Sequence, residues 1–318
     1  MFIFDAHNDT LLQLMTRKLN DLASLENTHV NLSKMQAAGM GAQIFAVYVP
    51  ETFLHGLALQ TALKMIDIFW LNMEKHQKYL QPILWSEDLP LHNRNQIGCL
   101  LSIEGGEALE GSLANLRNLF RLGVRGLTLT WNFRNELGDG IGEGERAKGL
   151  SKFGFEVVAE MNRLGMLVDV SHLAEPGFWD VVQISKKPII ASHSNAYALC
   201  QHPRNLTDAQ IRAIADSGGV IGVNFYTGFL ANSPEQADID TVVDHIIYLM
   251  KIGGTDVVGL GSDFDGIDQT PQGLENIALL PQLVIKLKNK GCSETIIEKV
   301  MGNNFLRVLQ EVLPKKSS

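Results

Sequence analysis

Short apolar runs alternate with longer stretches of helical periodicity along the whole chain, and there are eight such runs: residues 2–6, 42–49, 97–103, 124–130, 166–171, 188–192, 220–225 and 257–262. Short and almost continuously apolar, they predict strands buried on both faces by helices. Between them, residues 57–79 carry Leu59, Leu63, Ile66 and Trp70 at helical spacing. Ser151 stands where a cap would open a helix that stops at Gly165. Thr207 and Gln210 form a capping box, with Gly218-Gly219 ending that helix, and residues 242–252 are amphipathic up to Gly253-Gly254.

Strand then helix, repeated eight times, predicts an α/β fold of the (β/α)8 barrel type, with residues 1–318 forming a single domain. Only the interval from Val49 to Ile97 is long, leaving room for an extra helix or excursion. The rival architecture, a doubly wound open sheet, usually carries a Gly-rich turn after its first strand. Here His7-Asn8-Asp9 stands in that place and no GxGxxG follows, which favours the closed barrel.

What the runs end on points to chemistry. The first delivers His7 and Asp9, the third Glu104, the fifth His172, the sixth His193 and the eighth Asp263. Reactive side chains at the carboxyl ends of successive parallel strands are how a barrel of this kind builds an active site. In a strand, residues i and i+2 share a side, so His7 and Asp9 are expected to bind one ion together. Imidazole with carboxylate suits zinc, with manganese or cobalt as substitutes. Glu104 lies at the end of an apolar strand, where an ionised carboxylate needs a cation nearby, and a bridging metal ligand fits that need. His172 and His193 each follow an apolar run and a serine, and facing the same mouth they suggest a second metal. Asp263 is read as a ligand, a proton shuttle or a turn former. Arg204, in His202-Pro203-Arg204-Asn205, offers a planar fork for a carboxylate. His29, His55, His76, His92 and His245 lie in loops or helices away from strand ends and are read as structural.

Composition narrows the class. Apolar residues make up 45% and charged residues 19%, enough for a large buried core. The formal net charge of −8 has no basic run to offset it, so nucleic acid is not expected as a partner. No apolar stretch reaches the roughly 20 residues of a membrane span. The amino terminus reads straight into a strand without signal-peptide features. Three scattered cysteines, Cys99, Cys200 and Cys292, fit a reducing compartment, so a cytoplasmic protein is expected.

Taken in order, several segments resemble the renal or membrane dipeptidases, peptidase family M19 within the metal-dependent hydrolase barrels. They are Asp5-Ala6-His7-Asn8-Asp9, Ser102-Ile103-Glu104-Gly105-Gly106, Leu127-Thr128-Leu129-Thr130, Asp169-Val170-Ser171-His172, Ser192-His193-Ser194-Asn195-Ala196, Pro203-Arg204-Asn205-Leu206 and Gly261-Ser262-Asp263-Phe264-Asp265-Gly266. The late segment 302–309 is also similar to the family's carboxyl-terminal helix. The resemblance implies a metallo-dipeptidase holding two zinc ions per chain, with His7 and Asp9 on one, His172 and His193 on the other, and Glu104 between them. It implies a hydroxide shared by the metals as nucleophile, Arg204 on the substrate's terminal carboxylate and Asp263 moving the proton. A homodimer is suggested by the resemblance alone, and the substrate range would extend to dipeptides with a D-residue at the carboxyl end.

One position departs from the pattern. The family often has a histidine after the Leu-Thr-Leu-Thr run, where this chain has Trp131 followed by Asn132. Tryptophan donates one hydrogen bond and carries no positive charge. Oxyanion stabilisation is therefore expected from a metal or Asn132, and Trp131 and Asn132 are expected to contact the substrate. Two rivals stand beside the dipeptidase: a related amidohydrolase acting on N-acyl amino acids or lactones, and a silent binding protein on the same barrel. The complete ligand set argues against silence, and Arg204 argues against a neutral lactone.

Overall fold

The computed structural model describes residues 1–53, 56–89 and 96–316. Among the described residues nine parallel strands appear: β1 Ile3–Asp5, β2 Met40–Tyr48, β3 Leu80–Pro82, β4 Ile97–Glu104, β5 Val124–Thr128, β6 Leu167–Asp169, β7 Ile189–Ala191, β8 Val220–Val223 and β9 Val258–Leu260. Eight of them close into a barrel, because β1 pairs with both β2 and β9 while β2 also pairs with β4. These eight strands lie in the eight apolar runs, except that β2 starts two residues early at Met40 and β4 extends to Glu104, and helices cover the outside of the barrel.

The ninth strand falls in the long interval after Val49. There the helix Ala58–Lys75 is followed by β3, which pairs with β4 over Ile97 to Cys99. The β5 ladder takes up the same edge of β4 only from Leu101 onward. β3 thus covers backbone groups at the start of β4 that would otherwise lack a partner. Three residues ending in proline have no periodicity of their own, so pattern reading sees nothing there.

Helix ends follow local chemistry. The Ser151 side chain accepts from Gly154 N–H at the start of Lys152–Leu164, and Gly165 ends it at φ +77°. Thr207 and Gln210 form the expected capping box before Asp208–Asp216. The next long helix runs Ile239–Gly253, starting earlier than its apolar stripe, because Asp238 and Thr241 form a second capping box. Such a cap is worth about 1 kcal/mol, enough to extend a helix by a turn.

The core has two parts. Outward-facing strand residues pack under the helices, while Phe4, Ala42, Ile44, Leu100, Leu167, Ile190 and Val220 fill the barrel with the final helix Asn304–Val312. Phe305 of that helix stacks on Phe4, ring centroids 5.1 Å apart. A Cβ at Gly259 would collide with the Phe305 ring, so glycine there is what lets the helix seat against the barrel. The floor is thus apolar and closed, which leaves polar chemistry to the opposite mouth. Among the described residues no helix is long and apolar enough to cross a membrane.

Candidate metal centre

Glu104 closes its own strand, whereas the other candidate residues lie just beyond the ends of theirs. β1 ends at Asp5, and His7 and Asp9 lie in the turn leading to the helix Thr10–Thr16. Their convergence therefore comes from the turn and not from strand alternation. Asp9 sits at the N-cap position of this helix, yet its carboxylate caps nothing; its Oδ2 lies 3.5 Å from His7 Nε2. His172 and Asp263 adopt left-handed backbone, φ +64° and +63°. Conformations that disfavour side chains persist where the surroundings enforce them, and they concentrate at functional sites. At Gly266 a Cβ would fall onto Asp9 Oδ2 and crowd Asp263 Oδ1, so only glycine lets this turn approach the carboxylates.

Glu104, at the end of β4, stands between two groups. Its Oε2 is 3.5 Å from His7 Nε2, while its Oε1 is 3.1 Å from His172 Nε2 and 3.6 Å from His193 Nε2. The two latter nitrogens face each other at 2.9 Å. Their tautomers follow from the outer contacts. Ser192 Oγ donates to Asp169 Oδ2 at 2.5 Å, so it accepts from His193 Nδ1 at 2.7 Å. His172 Nδ1 donates to Asn132 Oδ1 at 2.8 Å. Both Nε2 atoms therefore present lone pairs to one another, an arrangement that repels unless a cation lies among them.

The electrostatics agree. Burial, together with the Arg204 charge, pushes His172 down to about 4. Burial, His7 and Arg204 hold His193 well below the ordinary imidazole range. Both stay neutral near pH 7, the form that ligates. Around His7 the balance reverses: burial disfavours its charge, but Glu104 and Asp9 raise it well above the usual value. Burial, outweighing the nearby His7 charge and reinforced by Asp9 and Glu104, lifts Asp263 to about 7. A pocket with this much negative charge calls for a positive ion. His7 Nε2 and Asp9 Oδ1 are moreover buried without a hydrogen-bond partner. Two overlapping donor sets, His7 with Glu104 and His193, and His7 with Asp9 and Asp263, each gather within 4.8 Å. Nitrogen and carboxylate donors in this arrangement fit divalent metal.

The remaining predicted residues distribute over two cavities. One, of about 350 Å³, is lined by Trp131, Asn132, Asp263, Tyr48, Tyr226 and Phe229 among others. Trp131 lies 5.2 Å from the Tyr48 ring and 6.2 Å from His172. The other, of about 780 Å³, includes Arg204, Ser194, Tyr197 and Leu206, and His172 borders both. Arg204 is buried, with Nη1 donating to Ser194 Oγ at 3.2 Å, Nη2 to His193 O at 3.0 Å and Nε bonded to nothing. Burial lowers it to about 10, against the pull of Asp263, Glu104 and Asp169.

Comparison with known proteins now adds the family. A family model described as membrane dipeptidase, peptidase family M19, matches residues 1–317. The chain belongs to the membrane dipeptidase family. It is 36% identical to an uncharacterized dipeptidase of Schizosaccharomyces pombe, covering 96% of this chain and 79% of that protein. Among solved structures, the dipeptidase AC, a family M19 metallo peptidase, superposes with a TM-score of 0.92 at 31% identity, covering 98% of this chain and 99% of the other. A metallo peptidase from Rhodobacter sphaeroides, liganded with a phosphinate mimic of the dipeptide L-Ala-D-Ala, gives 0.90 at 30% identity with the same coverage. This chain is accordingly a hydrolase of the metallo-dipeptidase type with a metal cofactor.

Within this dipeptidase, the structure brings forward residues that pattern reading passed over. Asp169 accepts from Ser171 N–H, Ser192 N–H, Ser192 O–H and Thr128 O–H, tying both histidine-bearing strand ends together. Asp5 does the same for the last strand, accepting from Ser262 N–H and O–H and from Gln43. Their signal was present, since each is a lone charge inside an apolar run. His29 is closer to the site than its loop position implied, as its Nδ1 accepts from Asp265 N–H at 2.9 Å. His245 is buried, taking Ala196 N–H and reaching Leu230 O, and His76 pairs with Asp21. His55 and His92 lie outside the described residues.

Proposed function

We propose that residues 1–318 act as one unit, a binuclear zinc dipeptidase. In this reading His7 and Asp9 would hold one ion, His172 and His193 the other, and Glu104 would serve both. The observation that carries this reading is Glu104, one carboxylate oxygen toward His7 and the other toward the facing His172 and His193 nitrogens. Metal held by these residues would supply an activated water at neutral pH and Lewis-acid polarisation of the scissile carbonyl. Asp263 takes the water proton as the oxygen attacks the carbonyl carbon, and returns it to the amine nitrogen as the C–N bond breaks. Trp131 walls the first cavity beside the reacting carbonyl, and Asn132 orients His172.

Arg204 receives the substrate's terminal carboxylate from the second cavity, where its buried charge has no carboxylate partner among the described residues. The size of that cavity and the ligand of the Rhodobacter sphaeroides relative support a range that extends to D-residues at the carboxyl end. Metal analysis of purified protein should give two ions per chain, and a panel of L,L and L,D dipeptides should be hydrolysed. One ion at full activity, or no hydrolysis of any dipeptide, rejects the reading.

The carboxylate role has its own test. Lysine at position 204 keeps the charge but loses the two-donor fork. Arg204→Lys should lose activity on free dipeptides by about 10-fold or more while keeping both metals, since a bidentate charged contact is worth about 1.5–3 kcal/mol. A dipeptide amidated at its carboxyl end should be a poor substrate for wild type and scarcely altered by the change. Equal losses on both substrates mean that Arg204 does not read the carboxylate, and the amidohydrolase alternative with a neutral substrate such as a lactone gains.

A further inference from the structure

The residue following β8, Asn224, is fully buried and hydrogen-bonds none of His7, Asp9, Glu104, His172 and His193, yet every polar atom it owns is committed. Its N–H donates to Asn195 Oδ1 at 2.9 Å, and its C=O accepts from Asn195 Nδ2 at 3.0 Å. Asn195 is in turn fixed by Leu206 N–H on its carbonyl, 2.8 Å. The Asn224 side chain is equally constrained. Its Oδ1 accepts from Tyr226 N–H at 2.6 Å, which settles the orientation of the amide and aims Nδ2 at Asp263 Oδ2, 2.9 Å away.

With Oδ2 held by an amide, the other oxygen of Asp263 is the one turned to the centre, Oδ1 lying 3.9 Å from His7 Nε2. We infer that Asn224 is a positioning residue: it fixes which carboxylate oxygen of Asp263 faces the metal-binding cluster, so that the proton is taken up and returned at Oδ1. A carboxylate free to rotate would divide its time between productive and unproductive settings, and small misplacements of a reacting group can lower rates by about 10²-fold. Tyr226 lines the substrate cavity, so the same amide also ties the proton carrier to the wall that the substrate touches. The inference rests on Asp263 carrying the proton, as proposed above.

A double-mutant cycle tests it on metal-loaded protein, using wild type, Asn224→Ala, Asp263→Asn and the double variant. Metal content, thermal midpoint, kcat, KM and the solvent deuterium isotope effect are measured with one dipeptide. Asn224→Ala should lower kcat about 10–100-fold, change KM less than about threefold, leave metal content intact and enlarge the isotope effect on kcat. In the Asp263→Asn background the same substitution should lower kcat less than about twofold, because coupled residues are not additive. The same loss in both backgrounds, or an effect on KM alone, makes Asn224 a structural residue and overturns the inference. Should alanine prevent folding, Asn224→Ser enters the same cycle under the same criteria, its hydroxyl still able to accept from Tyr226 N–H. Full activity in Asp263→Asn alone would instead reject the proton role of Asp263, a separate failure.

Discussion

Asp263→Asn is expected to lower kcat by roughly 10²–10⁴-fold, the range for a positioned acid or base, while metal content stays close to wild type. The side chain reaches the centre from the strained turn after β9, with Oδ1 at 3.9 Å from His7 Nε2, farther than the Asp9 and Glu104 oxygens. Asparagine is nearly the same shape and keeps one oxygen, so packing survives. It cannot accept and return a proton at neutral pH. Metal analysis beside steady-state kinetics decides the matter. If the variant loses an ion, Asp263 is a metal ligand, as its membership of one of the two donor sets allows, and the proton must move through another group.

Glu104→Ala should have a still larger effect, because it acts on both ions at once. Glu104 is only 5% exposed and, among the described residues, is the one carboxylate whose two oxygens address different histidine groups. Without it, His7 and Asp9 on one side and His172 and His193 on the other share no anion. Occupancy of both sites should fall together, and activity should drop by more than the about 10–100-fold that loss of an outer-shell partner brings. Metal content measured on purified variant, with and without added zinc, reads the result. Full retention of one ion with undiminished activity would end the bridging role.

Some of the centre could be read without coordinates because barrel chemistry is written at strand ends. His7, Asp9, Glu104, His172, His193 and Asp263 all follow apolar runs, and the structure gathers them at one mouth. The supporting residues were harder to see. Asp5 and Asp169 lie within the strands and act through hydroxyls on neighbouring strands, so no single segment reveals their partners. Asn132, expected at the substrate, lines the first cavity, and the bond from His172 to its carbonyl oxygen appears only in three dimensions. Asn224 gave no signal, since an asparagine after a strand is most often a turn residue.

The order and character of the elements follow from the chain itself. Near-continuous apolar runs of strand length, capped helices between them and the absence of a Gly-rich first turn specify a closed parallel barrel, because only burial on both faces satisfies such strands. The residue types at the strand ends limit the chemistry to metal and carboxylate. What tertiary structure decided are relations between distant segments: β3 covering the start of β4, the turn that joins His7 to Asp9, the tautomers of His172 and His193, and Arg204 opening to a different cavity from Asp263. Local sequence sets backbone preference over a few residues. Which lone pair faces which, across strands far apart in the chain, depends on the register and closure of the barrel, and these are settled only when all eight strands pack together.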